Sequence, residues 1–444
     1  MFYLLAFALF LRLILINQSL WLDEAIQALA LMGKMGPLLT YALADFQPPL
    51  YHFIGWLWTS IFGYSELALR FPSLLAGLGT VYAAAKLGEL LGGKKLMYLV
   101  GGLAATNPLL IYYSQEGRTY GLTTFFVTAA MYYYILITQK QSNSIQNTTY
   151  YILYTTLFLW TSYLTWFLHL ILFIYTIIIK RRDLILTQLI TGLTLLFWLP
   201  SLYQSLQVGL STVSSSPEWG NVVGGISLKA LALTWVKAVI GRISFTPTWV
   251  YGLVVALAFA LHARIVLAVK SIPLPILLWL GSIPVLALVS LLLPVYSYTR
   301  LLFVVPAYLL ILSLGLVKLS RSWTYAVISL QLLFLTVFWF NPSFHREDWR
   351  GIVASYGPNA VYALPSLNQN APLLYYGVLS GQIIEPKVLS TLPIFPSHII
   401  YIRYVENVFD VTRAGIAKLS ALGYSLEAQQ VYPGLQVDIY ENNN

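Results

Sequence analysis

Two adjacent carboxylates, Asp23 and Glu24, stand shortly after the first apolar run of the chain, which extends from residue 2 to residue 16. Acids at the edge of a membrane span indicate function, because a charge at bilayer depth costs about 2.5–3.5 kcal/mol on insertion scales. A positioned carboxylate can accept the proton of an attacking hydroxyl group, which is general-base catalysis. The pair therefore predicts a proton acceptor, although Asp23 can instead cap a helix over residues 25–32.

Charged residues also mark the ends of later apolar runs. Glu116 and Arg118 lie together between two such runs, and Arg70 and Arg300 each stand at the end of one. Arginine binds phosphate through two parallel hydrogen bonds, a geometry that lysine lacks. These positions predict contacts to an anionic substrate. Two alternatives stay open, since Glu116 can simply pair with Arg118 or Arg70, and Arg70 and Arg300 can be anchors at the membrane interface.

Four further polar residues also have plain structural interpretations. Glu24 fits an acid in the first turn of a helix. His52 lies in an aromatic segment and fits packing at the interface, whereas His169 lies between apolar residues and fits a core histidine. Arg12 stands inside the first apolar run, so we expect an internal acid or backbone carbonyl groups as its partners.

The composition is that of a polytopic membrane protein. Hydrophobic residues make up 58% of the 444, charged residues make up 9%, and the mean hydropathy is +0.73. The chain has no cysteine, which excludes disulfides and thiolate metal sites. The formal charge of +9 does not indicate nucleic-acid binding, because many basic residues lie in short connections between apolar runs. There they indicate membrane orientation.

The apolar runs predict about eleven transmembrane helices, with the N-terminus inside and the C-terminus outside. This topology places inside the basic connections at 94–95, Lys140 and 180–182. It places at the outer interface two helices, over 50–62 and 228–242. A pair of short helices that turns near Ser162 and Tyr163 is expected over 150–179. This orientation puts most acids that precede residue 341 on the outer side: Asp23, Glu24, Asp45, Glu66, Glu116 and Glu218 outside, Glu89 and Asp183 inside.

The composition changes near residue 341, so the sequence predicts two domains. Residues 1–340 form the transmembrane domain, with a first outer loop over 19–70, and residues 341–444 form a small extracytoplasmic α/β domain. Within it, helices are expected over 345–356, 369–379 and 411–422, and strands over 360–364, 399–405 and 435–440. A segment of roughly 100 residues can bury a modest core of its own.

Four segments assigned to the outer face occur in a fixed order: WLDEA at 21–25, DFQPPLY at 45–51, ELALRFPS at 66–73 and YSQEGRTY at 113–120. In this order and spacing they resemble the polyprenol-phosphate-sugar-dependent glycosyltransferases of the GT-C superfamily. Within that superfamily, the chain is most similar to the protein O-mannosyltransferase group, glycosyltransferase family 39, and to the aminoarabinose transferases of lipid A. The resemblance covers residues 1–130 and returns at YTRLL (298–302) and EDWR (347–350).

The resemblance implies that the acid of the first outer loop, Asp23, is the catalytic base, with Glu24 and Glu116 as further catalytic candidates. It also implies a set of residues that contact the lipid-phosphate donor: Arg118, Arg300, Arg70, Gln47, Tyr51 and His52. The lipid A transferases typically carry lysine where this chain has Gln47. This departure argues against a phosphate contact at Gln47 and against a lipid A acceptor.

The sequence thus predicts an integral-membrane, inverting glycosyltransferase that uses a polyprenyl-phosphate-sugar donor at the outer face of the cytoplasmic membrane. The acceptor stays open between lipid, glycan and protein. No metal site and no nucleic-acid partner are predicted, and no cofactor is assigned, although a divalent cation stays open. The alternative is a transporter or flippase for a lipid-linked sugar. Such proteins tend to have repeated halves and midplane charges, whereas here the acids cluster at one face and no repeat is detected.

Overall fold

The computed structural model describes residues 1–139, 144–215, 225–386, 389 and 396–442. Lys140 and Glu218, which the topology prediction uses, lie outside the described residues. The described chain divides into two compact units by its internal contacts. The helical unit comprises Met1–Ile16, Met35–Gly63 and Ala68–Phe338, and the sheet unit comprises Asn17–Lys34, Tyr64–Leu67 and Trp339–Asn444.

Helices account for nearly all regular structure up to residue 340. In chain order they are α1 (Phe2–Leu13), α2 (Leu22–Met32), α3 (Met35–Ala44), α4 (Leu50–Phe62), α5 (Glu66–Thr106), α6 (Pro108–Ser114), α7 (Tyr120–Gln139), α8 (Ile145–Leu159), α9 (Thr165–Ile178), α10 (Arg182–Leu193), α11 (Leu199–Ser215), α12 (Leu228–Ile240), α13 (Thr248–Val266), α14 (Leu274–Leu280), α15 (Ser282–Val289), α16 (Val305–Leu316) and α17 (Arg321–Phe340). The apolar runs of the sequence therefore fold as the helices that hydropathy predicts.

Five helical stretches among the described residues are long and apolar enough to cross a membrane: Glu66–Thr106, Tyr120–Thr138, Arg182–Val208, Thr248–Val266 and Arg321–Phe340. Shorter apolar helices accompany them, at Phe2–Leu13, Met35–Ala44, Thr165–Ile178, Leu274–Val289 and Leu302–Leu316. A chain with this many apolar helices is a multi-pass membrane protein. The exact number of spans, about eleven from the sequence, stays a prediction.

Two predicted breaks between helices are confirmed. Within α5, Gly92 and Gly93 have non-helical backbone angles, so this stretch is two helices joined at the expected place. Gly93 has φ +71°, a left-handed conformation that glycine adopts without steric cost. Between α8 and α9, the chain turns over residues 160–164, where Ser162 accepts a hydrogen bond from the Thr165 hydroxyl at 2.7 Å.

Arg12 is fully buried in the helical unit and binds backbone carbonyl groups, one of its two expected kinds of partner. Its guanidinium donates to the carbonyl oxygens of Ala104 at 3.1 Å and Ala105 at 3.0 Å, and to the Ser114 hydroxyl at 3.1 Å. The last carbonyls of a helix lack partners within the helix, and Pro108 has no N–H to offer Ala104. Arg12 therefore caps the C-terminal end of α5.

The sheet unit contains a mixed five-stranded sheet in the order β2-β1-β3-β5-β4. Its strands are β1 (Tyr362–Ala363), β2 (Ile383–Ile384), β3 (His398–Ile402), β4 (Tyr424–Tyr432) and β5 (Leu435–Asn442). Strands β2 and β3 run parallel to β1, and β5 is antiparallel to β3 and β4. The remaining helices of the unit are α18 (Trp349–Tyr356), α19 (Ala371–Tyr375), α20 (Glu406–Phe409) and α21 (Ala414–Ala421). The predicted fold class, a helical membrane protein with a small α/β segment, is confirmed.

Both faces of this sheet are covered by apolar side chains, which alternate along the central strands. Tyr362 and Ile400 belong to the core on one face, together with Trp349 of α18. Ala363 and Ile399 belong to the core on the other face. Successive residues of a strand point to opposite faces, so each central strand contributes to both cores.

The segment Asn17–Lys34 belongs to the sheet unit although it lies far from that unit in the sequence. Leu22 of α2 packs against the core that contains Trp349. The Tyr376 hydroxyl accepts the backbone N–H of Leu20 at 2.8 Å and lies 3.2 Å from the Ser19 hydroxyl. These contacts fix the segment that carries Asp23 and Glu24.

Candidate functional site

The first candidate base, Asp23, lies in the first turn of α2 and is half-buried. The helix begins at Leu22, and its N-cap residue is Trp21, with no side-chain capping bond. The expected helix start at residue 25 is therefore wrong, and Asp23 is not the cap residue. Burial, then the charges of Glu347 and Asp23, raise the pKa of the Tyr404 hydroxyl. Asp23 thus faces a polar cluster inside the sheet unit.

Glu24 forms a buried ion pair with Arg346. The Arg346 Nε and Glu24 Oε2 atoms are 3.5 Å apart, and each side chain is only 1% exposed. Removing one partner of such a pair leaves an uncompensated buried charge, which is strongly destabilising. The position of Glu24 therefore agrees with a structural acid near a helix start, the plainer of its two interpretations.

The EDWR segment binds the first-loop segments of the same unit. The Arg350 guanidinium donates to Glu66 Oε1 at 3.1 Å, and the Arg350 backbone N–H donates to the Ser19 hydroxyl at 3.1 Å. Asp348 caps α18 by accepting the Gly351 N–H at 3.0 Å, so that helix begins at Trp349 rather than at the expected residue 345. A docking role for this segment is consistent with these contacts.

In the helical unit, Asp45 and His52 form a second polar pair, across the turn between α3 and α4. His52 Nε2 lies 3.0 Å from Asp45 Oδ2, and the His52 side chain is 2% exposed. Burial raises the pKa of the Asp45 carboxyl, but the His52 contact and the charge of Arg118 lower it by more, so that its pKa falls below the ordinary value. Asp45 is therefore an anion beside two basic side chains. Tyr51, the residue before His52 in α4, is also buried.

A small pocket brings together two predicted substrate-binding residues, Gln47 and Arg300. Its other lining residues are mainly hydroxylated or aromatic: Thr119, Tyr120, Thr123, Ser162, Thr299, Leu302 and Phe303. The amide oxygen of Gln47 is buried and has no hydrogen-bond partner among the described residues. Arg300 donates to the Val295 carbonyl at 3.1 Å. Arg118 directly precedes the lining residue Thr119 and is half-buried. These groups can bind hydroxyl and phosphate oxygens.

Arg70 and Glu116 lie in other surroundings of the helical unit. Arg70 is fully buried and donates to the carbonyl of Ile16 at 2.7 Å, so it fixes the chain after α1 instead of standing at the surface as an anchor. Glu116 is 1% exposed. The pKa of Arg242 is raised well above its ordinary value, most strongly by Tyr112. The Glu116 carboxylate adds a smaller contribution in the same direction.

The sequence interpretation missed a cationic cluster formed by Arg242 and Lys237. The Arg242 guanidinium stacks over the Tyr112 ring at 4.8 Å and lies 3.5 Å from the Tyr113 hydroxyl. Burial and the charge of Arg242 lower the pKa of Lys237 to about 8. The available signal was the basic end of α12, which the topology already placed at the outer interface. A concentration of cations beside Glu116 suits a negatively charged ligand.

Comparisons with known proteins agree with the fold. The model of the dolichyl-phosphate-mannose-protein mannosyltransferase family matches residues 46–203. No curated protein sequence matches the chain.

Three solved structures resemble it over nearly its whole length. ArnT from Cupriavidus metallidurans in the apo state has a TM-score of 0.61 at 11% identity, covering 99% of this chain and 97% of that one. ArnT from the same organism bound to undecaprenyl phosphate has a TM-score of 0.58 at 12% identity, with the same coverage of both chains. The third is the oligosaccharyltransferase AglB from Archaeoglobus fulgidus, in complex with an inhibitory peptide and a dolichol-phosphate. It has a TM-score of 0.52 at 12% identity, covering 98% of this chain and 74% of that one. Identities this low show a common fold.

Proposed function

We propose that the chain, whose fold resembles those of ArnT and AglB, is a membrane glycosyltransferase of the GT-C type that transfers a sugar from a polyprenyl-phosphate donor to an acceptor outside the cytoplasmic membrane. The observation that carries the proposal is the pocket shared by Gln47 and Arg300. It combines a guanidinium group, an unpartnered amide oxygen and several hydroxyl groups. The likeness to ArnT bound to undecaprenyl phosphate and to AglB with dolichol-phosphate supports a lipid-phosphate ligand.

In this reaction an acceptor hydroxyl oxygen attacks the anomeric carbon of the sugar. The attack comes from the face opposite the phosphate, so the configuration at that carbon inverts. The bond between the carbon and the phosphate oxygen breaks, and the polyprenyl phosphate leaves with the electron pair. The proton of the hydroxyl passes to the Asp23 carboxylate, a step that contributes typically ~10²–10⁴ in rate. Arg118 and Arg300 bind the phosphate and stabilise the negative charge that develops on it.

The roles of the other predicted residues follow from their contacts. Glu24 neutralises Arg346 and does not act as the base, while Glu116 contributes negative charge near Arg242. Arg70 fixes the chain after α1. In this proposal residues 341–444 lie outside the membrane and position the acceptor.

The test is a comparison of the lipids, glycans and proteins of the cell envelope with and without the gene, by mass spectrometry. A sugar that is missing from one acceptor and restored by the wild-type gene supports transfer and identifies the donor and acceptor together. Full restoration by an Asp23→Asn variant would exclude Asp23 as the base. Full restoration by Glu24→Gln and Glu116→Gln as well would favour the transporter alternative, because moving a lipid-linked sugar requires no base.

A further inference from the structure

Three metal-ligating side chains meet on one face of the sheet, and none of them is assigned to sugar transfer. They are His398 in β3, Glu441 in β5 and Glu427 in β4. His398 and Glu441 are direct partners across the antiparallel pair of β3 and β5. Such partners project side chains to the same face.

A β-bulge brings the third side chain to this position. The register of β4 against β5 shifts between Leu426 and Ala428, so Glu427 is the additional residue. A bulge turns the strand locally and re-aims the extra side chain. Ligands from three strands therefore converge although they are widely spaced in the sequence, which is why sequence spacing gave no metal signal.

The distances fit a small metal ion. His398 Nε2 lies 4.0 Å from Glu427 Oε2 and 3.9 Å from Glu441 Oε1, and the candidate ligand atoms all lie within 4.8 Å of one another. A tetrahedral zinc ion with bonds of about 2.0–2.2 Å places its ligands about 3.4 Å apart. All three side chains are 51–52% exposed, so small rotations can close the difference.

The second nitrogen of the histidine ring has a neighbour in the same strand segment. His398 Nδ1 lies 3.2 Å from the Ser397 hydroxyl oxygen, and the backbone carbonyl of Ser397 accepts the Asn442 N–H at 2.9 Å. Metal-bound histidines commonly use their second ring nitrogen for such a contact, which fixes the tautomer. When Nδ1 donates its proton to the Ser397 hydroxyl oxygen, Nε2 carries the lone pair on the side of the two carboxylates.

We propose that His398, Glu427 and Glu441 bind a divalent transition-metal ion of the zinc type. Imidazole favours zinc over magnesium or calcium, and the two carboxylates neutralise its charge. The exposed side of the site leaves room for water as a fourth ligand. Because the ion joins β3, β5 and the edge strand β4, it stabilises the folded sheet unit by mass action.

The experiment uses the full-length chain without an affinity tag, purified in detergent and freed of metal. Zinc is titrated in competition with a chromogenic chelator, and cobalt is used as a spectroscopic probe of the coordination. A single zinc equivalent is expected, which His398→Ala abolishes and Glu441→Gln weakens about tenfold or more. His345→Ala removes a histidine of the same unit outside the cluster, and it should bind zinc like the wild type.

Thermal unfolding without metal checks that the variants are folded. Added zinc should raise the unfolding temperature of the wild type and of His345→Ala equally, that of Glu441→Gln less, and that of His398→Ala not at all. A wild-type chain that binds no zinc overturns the proposal. Zinc binding that is unchanged in a folded His398→Ala variant overturns it as well, because the metal would then be elsewhere.

Discussion

The two adjacent acids of the first loop differ sharply in their surroundings. Glu24 is paired with Arg346 in the interior of the sheet unit, whereas Asp23 is half-buried in the first turn of α2. The sequence places both acids at the end of the first apolar run and favours Asp23 as the base. It does not reveal Arg346, because an ion pair between residues so far apart in the chain depends on the tertiary fold.

The first prediction uses this difference. Glu24→Gln should lower the free energy of unfolding, by up to about 3–5 kcal/mol, because it removes a negative charge that faces the buried Arg346 guanidinium. The unfolding temperature of the purified variant measures the loss. Asp23→Asn is the matched control and should unfold near the wild-type temperature. If Glu24→Gln is as stable as the wild type, the ion pair has no structural importance.

The second prediction concerns Lys237, whose pKa burial and the Arg242 charge lower to about 8. Lysine carries a positive charge below its pKa and loses that charge as the pH rises through it. Binding of the lipid-phosphate donor should therefore weaken between about pH 7 and pH 9. Lys237→Met should remove this part of the pH dependence, which binding measurements across that range can detect. An identical pH profile in the variant would exclude Lys237 from donor binding.

At the scale of the elements, hydropathy and helix-breaking residues predicted most of the helical unit. The break at Gly92 and Gly93 and the turn after α8 are where the sequence placed them. The strand β4 was missed, because most of its side chains are exposed and lack the apolar alternation of a half-buried strand. Strand β2 was also missed, since two residues are too few for a pattern.

The third prediction concerns the cap that Arg12 of α1 forms on α5. Arg12→Leu should destabilise the protein, because each buried carbonyl left without a donor costs about 1–3 kcal/mol. Ala104 is the critical acceptor, since Pro108 cannot replace the lost donor. Arg12→Lys keeps a cationic donor and should lose less. Unfolding in detergent ranks the stability of the wild type and the two variants. If Arg12→Leu is as stable as the wild type, Arg12 does not stabilise the end of α5.

At the scale of the whole molecule, the first loop is divided between two units. Asn17–Lys34 belongs with the sheet, while Asp45, Gln47 and His52 belong with the helices. The sequence predicted a boundary near residue 340 and treated residues 19–70 as part of the first domain. Local composition cannot show that a distant segment packs on the sheet, because that packing depends on single contacts such as the one between Leu20 and Tyr376.

The fourth prediction tests the orientation of the chain. Ser144 and Ser380 are exposed, and the sequence has no native cysteine. A cysteine at Ser380 should react with an impermeant maleimide on intact cells, whereas a cysteine at Ser144 should react only after the membrane is permeabilised. This follows if residues 341–444 are outside and the connection before α8 is inside. Equal labelling of the two sites on intact cells would refute the topology.

The most direct test of the proposed function compares Asp23→Asn with Arg300→Ala in the purified protein, using the donor and acceptor identified from the envelope. Asp23→Asn should reduce transfer about 10²-fold or more and leave donor binding nearly unchanged, because only the proton acceptor is lost. Arg300→Ala should weaken donor binding itself. Near-full transfer by a folded Asp23→Asn variant would contradict the assignment of Asp23 as the base.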